Sequence, residues 1–107
     1  FNLLDSHDTE RILTTAQGDI QLVKSALAFL FLQRGTPCIY YGTELELGGG
    51  MDPDCRRVMP WDRVSSSNDM LNFMKNLIQL RKDCQTDDQQ VLILPKGFVV
   101  YCDESCI

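Results

Sequence analysis

The sequence predicts an α/β chain in which βαβα units give way to an antiparallel hairpin. Two short apolar runs without alternation, at 1–4 and 38–41, have the character of strands buried on both faces. Between and after them lie apolar residues at helical spacing. Beyond the polar stretch Asp83 to Gln89, the pattern changes to short strands separated by a turn.

Each element follows from its residues. Phe1 to Leu4 forms the first strand and stops at the polar cluster Asp5, Ser6, His7, Asp8, Thr9. Gly18 precedes Asp19, a good N-cap, and Ile20, Val23, Leu27, Leu30 and Phe31 then follow with helical period. Arg34 and Gly35 supply a basic last turn and a residue suited to the position after the helix. The second half of that helix, Ala26 to Leu32, is apolar on all sides, which predicts neighbours on several faces. Thr36 and Pro37 lead into the second strand, Cys38 to Tyr41, ended by Gly42. Asn68 or Ser67 caps a further helix whose apolar stripe is Met70, Phe73, Met74, Leu77 and Ile78, closing near Lys82. Val91 to Leu94, the turn Pro95, Lys96, Gly97, and Phe98 to Tyr101 predict a hairpin belonging to a separate, β-rich unit.

Composition narrows the partners. The chain has 107 residues, 44% of them apolar and 23% charged, the balance of one ordinary globular domain at most. With 10 basic against 15 acidic residues the net charge is −5, so no nucleic-acid or anionic-membrane partner is expected. The apolar run Ala26 to Leu32 falls far short of the roughly 20 residues that cross a bilayer. There is no charged leader followed by an apolar core. The opening on Phe1, without an initiator methionine, predicts a chain cut from something longer. Five cysteines, Cys38, Cys55, Cys84, Cys102 and Cys106, contain no C-x-x-C pair and have one histidine to join them, so no metal site is expected. Their odd number and the apolar setting of Cys38 favour reduced thiols in a cytoplasm.

The densest polar constellation is Ser6-His7-Asp8-Thr9 after the first strand, with Asp52, Asp54, Arg56 and Arg57 in the glycine-rich loop after the second. A parallel crossover opens both strand ends on the same side of one sheet, the edge where ligands bind in such folds. A carboxylate beside an imidazole there can hydrogen-bond the vicinal hydroxyls of a sugar, and an arginine paired with an aspartate can clamp another ring. On residues alone, the same cluster also suits a solvated turn.

Three ordered motifs take the expectation further: Asn2-Leu3-Leu4-Asp5-Ser6-His7-Asp8-Thr9, then Gly35-Thr36-Pro37-Cys38-Ile39-Tyr40-Tyr41-Gly42-Thr43-Glu44, then Gly49-Gly50-Met51-Asp52-Pro53-Asp54-Cys55-Arg56-Arg57-Val58-Met59-Pro60-Trp61. In order and spacing they strongly resemble the α-amylase family, glycoside hydrolase family 13, and within it the neopullulanase, maltogenic amylase and cyclomaltodextrinase group. The resemblance runs from Phe1 to about Lys82. It implies the last βαβα portion of a (β/α)8 TIM barrel followed by the start of an antiparallel β-sandwich. Residues 1–86 would carry barrel strands seven and eight with their helices, and 87–107 the first strands of the C-terminal β domain.

The resemblance also implies retaining hydrolysis of α-1,4 glucosidic bonds, with α-1,6 as a second linkage, in maltodextrins, cyclodextrins or pullulan. Asp8 matches the carboxylate that holds the sugar at the cleavage point and favours its oxocarbenium-like form. His7 matches the neighbouring substrate-binding histidine, and Asp52 with Arg56 the pair that binds a more distant glucose. The nucleophile and the proton donor would lie upstream of Phe1, so the chain alone is expected to be inactive. No cofactor is expected, calcium being a matter for the full-length parent. The expected partners are an α-glucan oligosaccharide and either the rest of the barrel or a second copy meeting exposed apolar faces.

Plainer roles stand beside these. Asp8 suits a helix cap, His7 a structural contact, and Asp52 with Arg56 a loop-fixing salt bridge. Arg57, Asp54 and Glu44 are expected as loop scaffolding, and Tyr40, Tyr41 and Trp61 as packing rather than sugar platforms. A non-catalytic carbohydrate-binding or assembly module is the alternative from another class. A metallophosphohydrolase of the His-Asp type needs several histidines, and His7 stands alone.

Overall fold

The computed structural model describes residues 1–83, together with the backbone of two strands further on. The elements are β1 (Asn2–Leu3), α1 (Ile12–Thr15), α2 (Ile20–Leu32), β2 (Pro37–Cys38), α3 (Asp69–Asp83), β3 (Gln90–Ile93) and β4 (Val99–Cys102). β1 and β2 pair in parallel, Asn2 against Pro37 and Leu3 against Cys38. The chain between them passes through α1 and α2, so both strands end on the same side.

Asp19 starts α2 as its sequence suggests: Oδ1 accepts from the amides of Gln21 and Leu22 at 2.9 and 3.0 Å. Asn68 does the same for α3, its side-chain oxygen taking the Leu71 amide at 2.8 Å. The two helices bury Val23, Leu27 and Phe31 against Met70, Met74 and Leu77, with Ala16 closing one end. Each such side chain contributes about 1.5–3 kcal/mol of transfer free energy, which makes this layer the main source of cohesion. Lys24 adds an ion pair to Asp69 and lies 5.3 Å from the Phe73 ring.

The far end of α2 is finished from a distance. Gln33 is already extended, so Gly35, at φ +95°, does not close the last helical turn as expected. Instead Arg81 on α3 donates to the carbonyls of Phe31, Gln33 and Gly35. A guanidinium fork satisfies acceptors that a helix end leaves open.

Four further expectations change. The second strand pairs at Pro37–Cys38 rather than along Cys38 to Tyr41. β1 turns away after Leu3, and the Tyr41 carbonyl is taken by Arg11. The single helical turn α1 was not anticipated, because four residues are too few for a periodic signal. Cys38 is exposed, and Cys55 is the buried thiol; both are free. In α3, Met70, Met74 and Leu77 are buried, but Ile78 is exposed.

β3 and β4 form an antiparallel hairpin, Gln90 opposite Cys102 and Ile93 opposite Val99, one residue offset from the predicted strands. The predicted turn Pro95-Lys96-Gly97, the linker beyond Asp83, and Cys84 and Cys106 lie outside the described residues.

Several large apolar side chains are exposed. Phe1 is 96% exposed, and Leu3, Leu22 and Phe29 are also exposed. Phe1, Leu3, Leu4, Phe29 and Leu30 line an open cleft of about 420 Å³ on the β1 side. A second, of about 280 Å³, lies between Ile39, Tyr41, Leu71, Met74 and Ile78. No helix among the described residues is long and apolar enough to cross a membrane.

Candidate functional site

The site is built on the loop that leaves β1. Asp5 is buried, and its carboxylate accepts the Ile12 amide at 3.0 Å and the Thr43 hydroxyl at 3.3 Å. One side chain thus joins the start of α1 to the loop after β2. Beyond it the turn is held by its own hydroxyls: the Ser6 amide donates to Thr9 Oγ1 at 2.9 Å and the Asp8 amide to Ser6 Oγ at 3.2 Å. Such a turn leaves the side chains of His7 and Asp8 in solvent, where they are 63% and 70% exposed.

The loop after β2 supplies the other half. A Cβ on Gly49 would fall 2.5 Å from the Asp54 carbonyl oxygen, so this close approach requires glycine. The Gly50 amide donates to Asp54 Oδ2 at 2.7 Å, and Arg57 grips both Asp54 oxygens at 2.7 Å each. Those bonds, Arg57 first and the Gly50 amide second, hold the Asp54 carboxyl below its ordinary range, while Asp54 raises Arg57. The Asp52-Pro53 peptide in this loop is cis.

The two halves meet at the His7 carbonyl, which accepts from Cys55 Sγ at 3.1 Å and from Arg56 Nε at 3.2 Å. Arg56 Nε lies 3.0 Å from Asp52 Oδ1, and its Nη2 lies 3.6 Å from Asp8 Oδ1. His7 Nε2 is 3.1 Å from Asp8 Oδ2. His7, Asp8, Asp52 and Arg56 therefore form one exposed cluster. In it Asp8 presents a carboxylate steadied at both oxygens, an arrangement able to accept from paired hydroxyls. Arg56 also makes the loop-fixing contact weighed for it, since it bonds Asp52 and a backbone carbonyl. Asp54 and Arg57 face each other and stand apart from these bonds.

Three supporting residues had no strong signal in the sequence: Asp5, Arg11 and Cys55. Each is buried within a polar stretch that reads as solvated loop. Arg11 lies against the rings of Tyr40 and Tyr41, which gives those tyrosines a packing role. Desolvation, with Tyr41 second, raises the Tyr40 hydroxyl above its usual range. Trp61, expected to pack, is 72% exposed. Among the described residues no cluster of three histidine, cysteine or acidic side chains is placed to hold a metal ion.

Comparison with known proteins gives the family of the chain. The family model described as "Alpha amylase, catalytic domain" matches residues 1–89. The chain is 55% identical over 86 residues to the intracellular maltogenic amylase of Bacillus subtilis (strain 168), covering 80% of this chain and 15% of that protein. It is 52% identical over 82 residues to a cyclomaltodextrinase of Bacillus sp, covering 77% and 15%. Among solved structures, Ttha1563 from Thermus thermophilus superposes with a TM-score of 0.83 at 36% identity, covering 94% of this chain and 22% of that one. The maltogenic amylase from S. marinus gives 0.76 at 38% identity, covering 90% and 14%. The chain thus spans about 15% of the length of the curated relatives it matches. The family model covers residues 1–89 and the two curated relatives are 55% and 52% identical over 86 and 82 residues, so the chain belongs to the alpha-amylase family, as an α/β segment of its catalytic domain.

Proposed function

We propose that the chain forms the sugar-gripping end of an α-glucan hydrolase. In this reading residues 1–86 are barrel strands seven and eight with their helices, and 87–107 begin the C-terminal β domain. The observation that carries it is the single cluster in which Asp8 lies between His7 and Arg56 while Arg56 also holds Asp52. Asp8 accepts two hydroxyls of the glucose at the cleavage point, and these bonds strengthen as the ring flattens towards the oxocarbenium-like state. His7 donates to the same sugar. Asp52 and Arg56 hold a glucose further along the chain.

Retaining hydrolysis needs a carboxylate nucleophile and a carboxylic acid donor. This reading places both on other segments of the enzyme, so the 107-residue chain binds α-glucan without cleaving it. The substrates are maltodextrins, cyclodextrins or pullulan, with α-1,4 bonds and α-1,6 as a second linkage. A cytoplasmic location belongs to the same proposal, supported by the free thiols of Cys38 and Cys55 and by the Bacillus subtilis relative being named intracellular. Isothermal titration of the chain with maltotriose checks the site: heat of binding is expected, and none at millimolar concentration sinks the sugar assignment. Release of reducing sugar from maltotriose or cyclodextrin by the chain alone would overturn the division of catalytic groups.

A second reading, a non-catalytic binding or assembly module, is favoured by the uncovered apolar clefts beside β1 and α3. Those faces suit the rest of a barrel or a second copy. A clean monomer on size exclusion, at any concentration, counts against assembly through them.

A further inference from the structure

Arg11 follows the His7-Asp8 turn and is completely buried, 0% exposed. Its partners are carbonyls and ring faces. Nε donates to the Cys55 carbonyl at 2.7 Å and Nη1 to the Tyr41 carbonyl. The guanidinium carbon lies 3.9 Å from the Tyr40 ring centre and 4.5 Å from that of Tyr41. Its backbone amide donates to the Gly49 carbonyl at 2.9 Å. Nη2 has no hydrogen-bond partner among the described residues.

Arg11 has no carboxylate partner among the described residues; a buried guanidinium so placed is costly, and an apolar side chain of similar volume fills such a space more cheaply. What an apolar side chain cannot do is fix a peptide plane at hydrogen-bond distance. The peptide that Arg11 fixes is that of Cys55, whose thiol and whose successor Arg56 both bond the His7 carbonyl. From Arg11 a run of contacts leads through Cys55 and Arg56 to His7, Asp8 and Asp52. We infer that Arg11 is a positioning residue, which sets the spacing between the His7-Asp8 half and the Asp52-Arg56 half of the cluster by clamping the Cys55 peptide. The ligand in this inference rests on the sugar reading above; the spacing does not.

The test separates the two. His7 is the chain's one histidine, so its ring signals report the cluster without overlap. In nuclear magnetic resonance spectra of the full 107-residue chain, Arg11→Lys is expected to move the His7 ring and Arg56 Nε–H signals while the methyls of Val23 and Leu27 stay in place. In an Arg56→Gln background the same change is expected to shift His7 less, because of the two bonds to its carbonyl only that from Cys55 Sγ remains. Maltotriose affinity is expected to fall about tenfold in Arg11→Lys. Unmoved His7 and Arg56 signals in Arg11→Lys overturn the positioning role, whatever the affinity. Moved signals with no maltotriose heat in the unmodified chain retain the role and remove the sugar. If Arg11→Lys does not fold, Tyr40→Leu, which frees one face of the guanidinium, is expected to move the same signals. Failure of both variants to fold makes Arg11 a plain core residue and overturns the inference.

Discussion

Beneath the cluster, Asp5, Arg11 and Thr43 are buried polar groups, Thr43 bonded to Asp5 and Arg11 to backbone carbonyls, whereas the side chains of His7, Asp8, Asp52 and Arg56 above them are about half or more exposed. The lower groups join the loop after β1 to the loop after β2 across wide sequence separations. The upper groups meet through ion pairs in water, where each is worth about 0–1 kcal/mol. In the proposed sugar reading, geometry and recognition fall to different layers. A rim residue can be exchanged without unfolding the chain, and a floor residue cannot be exchanged without moving the rim.

Removing a floor residue is expected to have the largest effect. Asp5→Ala strands the Ile12 amide and the Thr43 hydroxyl and is expected to cost about 3 kcal/mol in urea unfolding. A loss under about 1 kcal/mol would erase the distinction between the layers. Gly49→Ala places a methyl against the Asp54 carbonyl and is expected to cost about 2 kcal/mol, and to weaken maltotriose binding by displacing Asp52 and Arg56. Asp8→Asn sharpens the contrast from the other side: stability is expected to change by less than about 0.5 kcal/mol while calorimetric heat with maltotriose disappears.

The smallest effect is one of pH. The folded chain holds Asp54 below its ordinary range, so it binds fewer protons there than the unfolded chain does. The contribution is present above about pH 3.9, the ordinary aspartate value, and is lost as pH falls through the lower folded value. The Gly50 amide signal is expected to move in that acid window and, in Asp54→Asn, to stay still. Because the pair with Arg57 is exposed, salt should diminish the effect.

Much of this layering was legible where residues recur or cap. Asp19 and Asn68 announce the starts of α2 and α3, and the apolar spacing from Val23 to Phe31 marks the buried face. Strand order points to both loops, since a parallel crossover brings them to one edge, and the choice of the four rim residues within them rests on the motifs' resemblance to the family. The floor was not legible. Arg11 is a single charge at the start of a four-residue helix, and nothing local distinguishes it from a solvated arginine. Its burial depends on Tyr40, Tyr41 and Cys55, which lie 29 or more positions away and reach it only in the folded chain. The same holds for Cys38 and Cys55. Flanking apolar residues placed Cys38 in a buried strand, but Cys38 is exposed, and Cys55, in a polar loop, is the buried one of the two.

Arg81 carries a consequence for synthesis on the ribosome. The carbonyls it bonds, at Phe31, Gln33 and Gly35, are made 50, 48 and 46 positions before it. As the chain emerges N-terminus first, α2 is complete in length long before its final turn has donors. That turn is expected to fray on the nascent chain until Arg81 clears the exit tunnel. Stalled chains released before and after that point should differ in protease sensitivity at 32–36, so the last turn of one helix becomes a clock for the arrival of another.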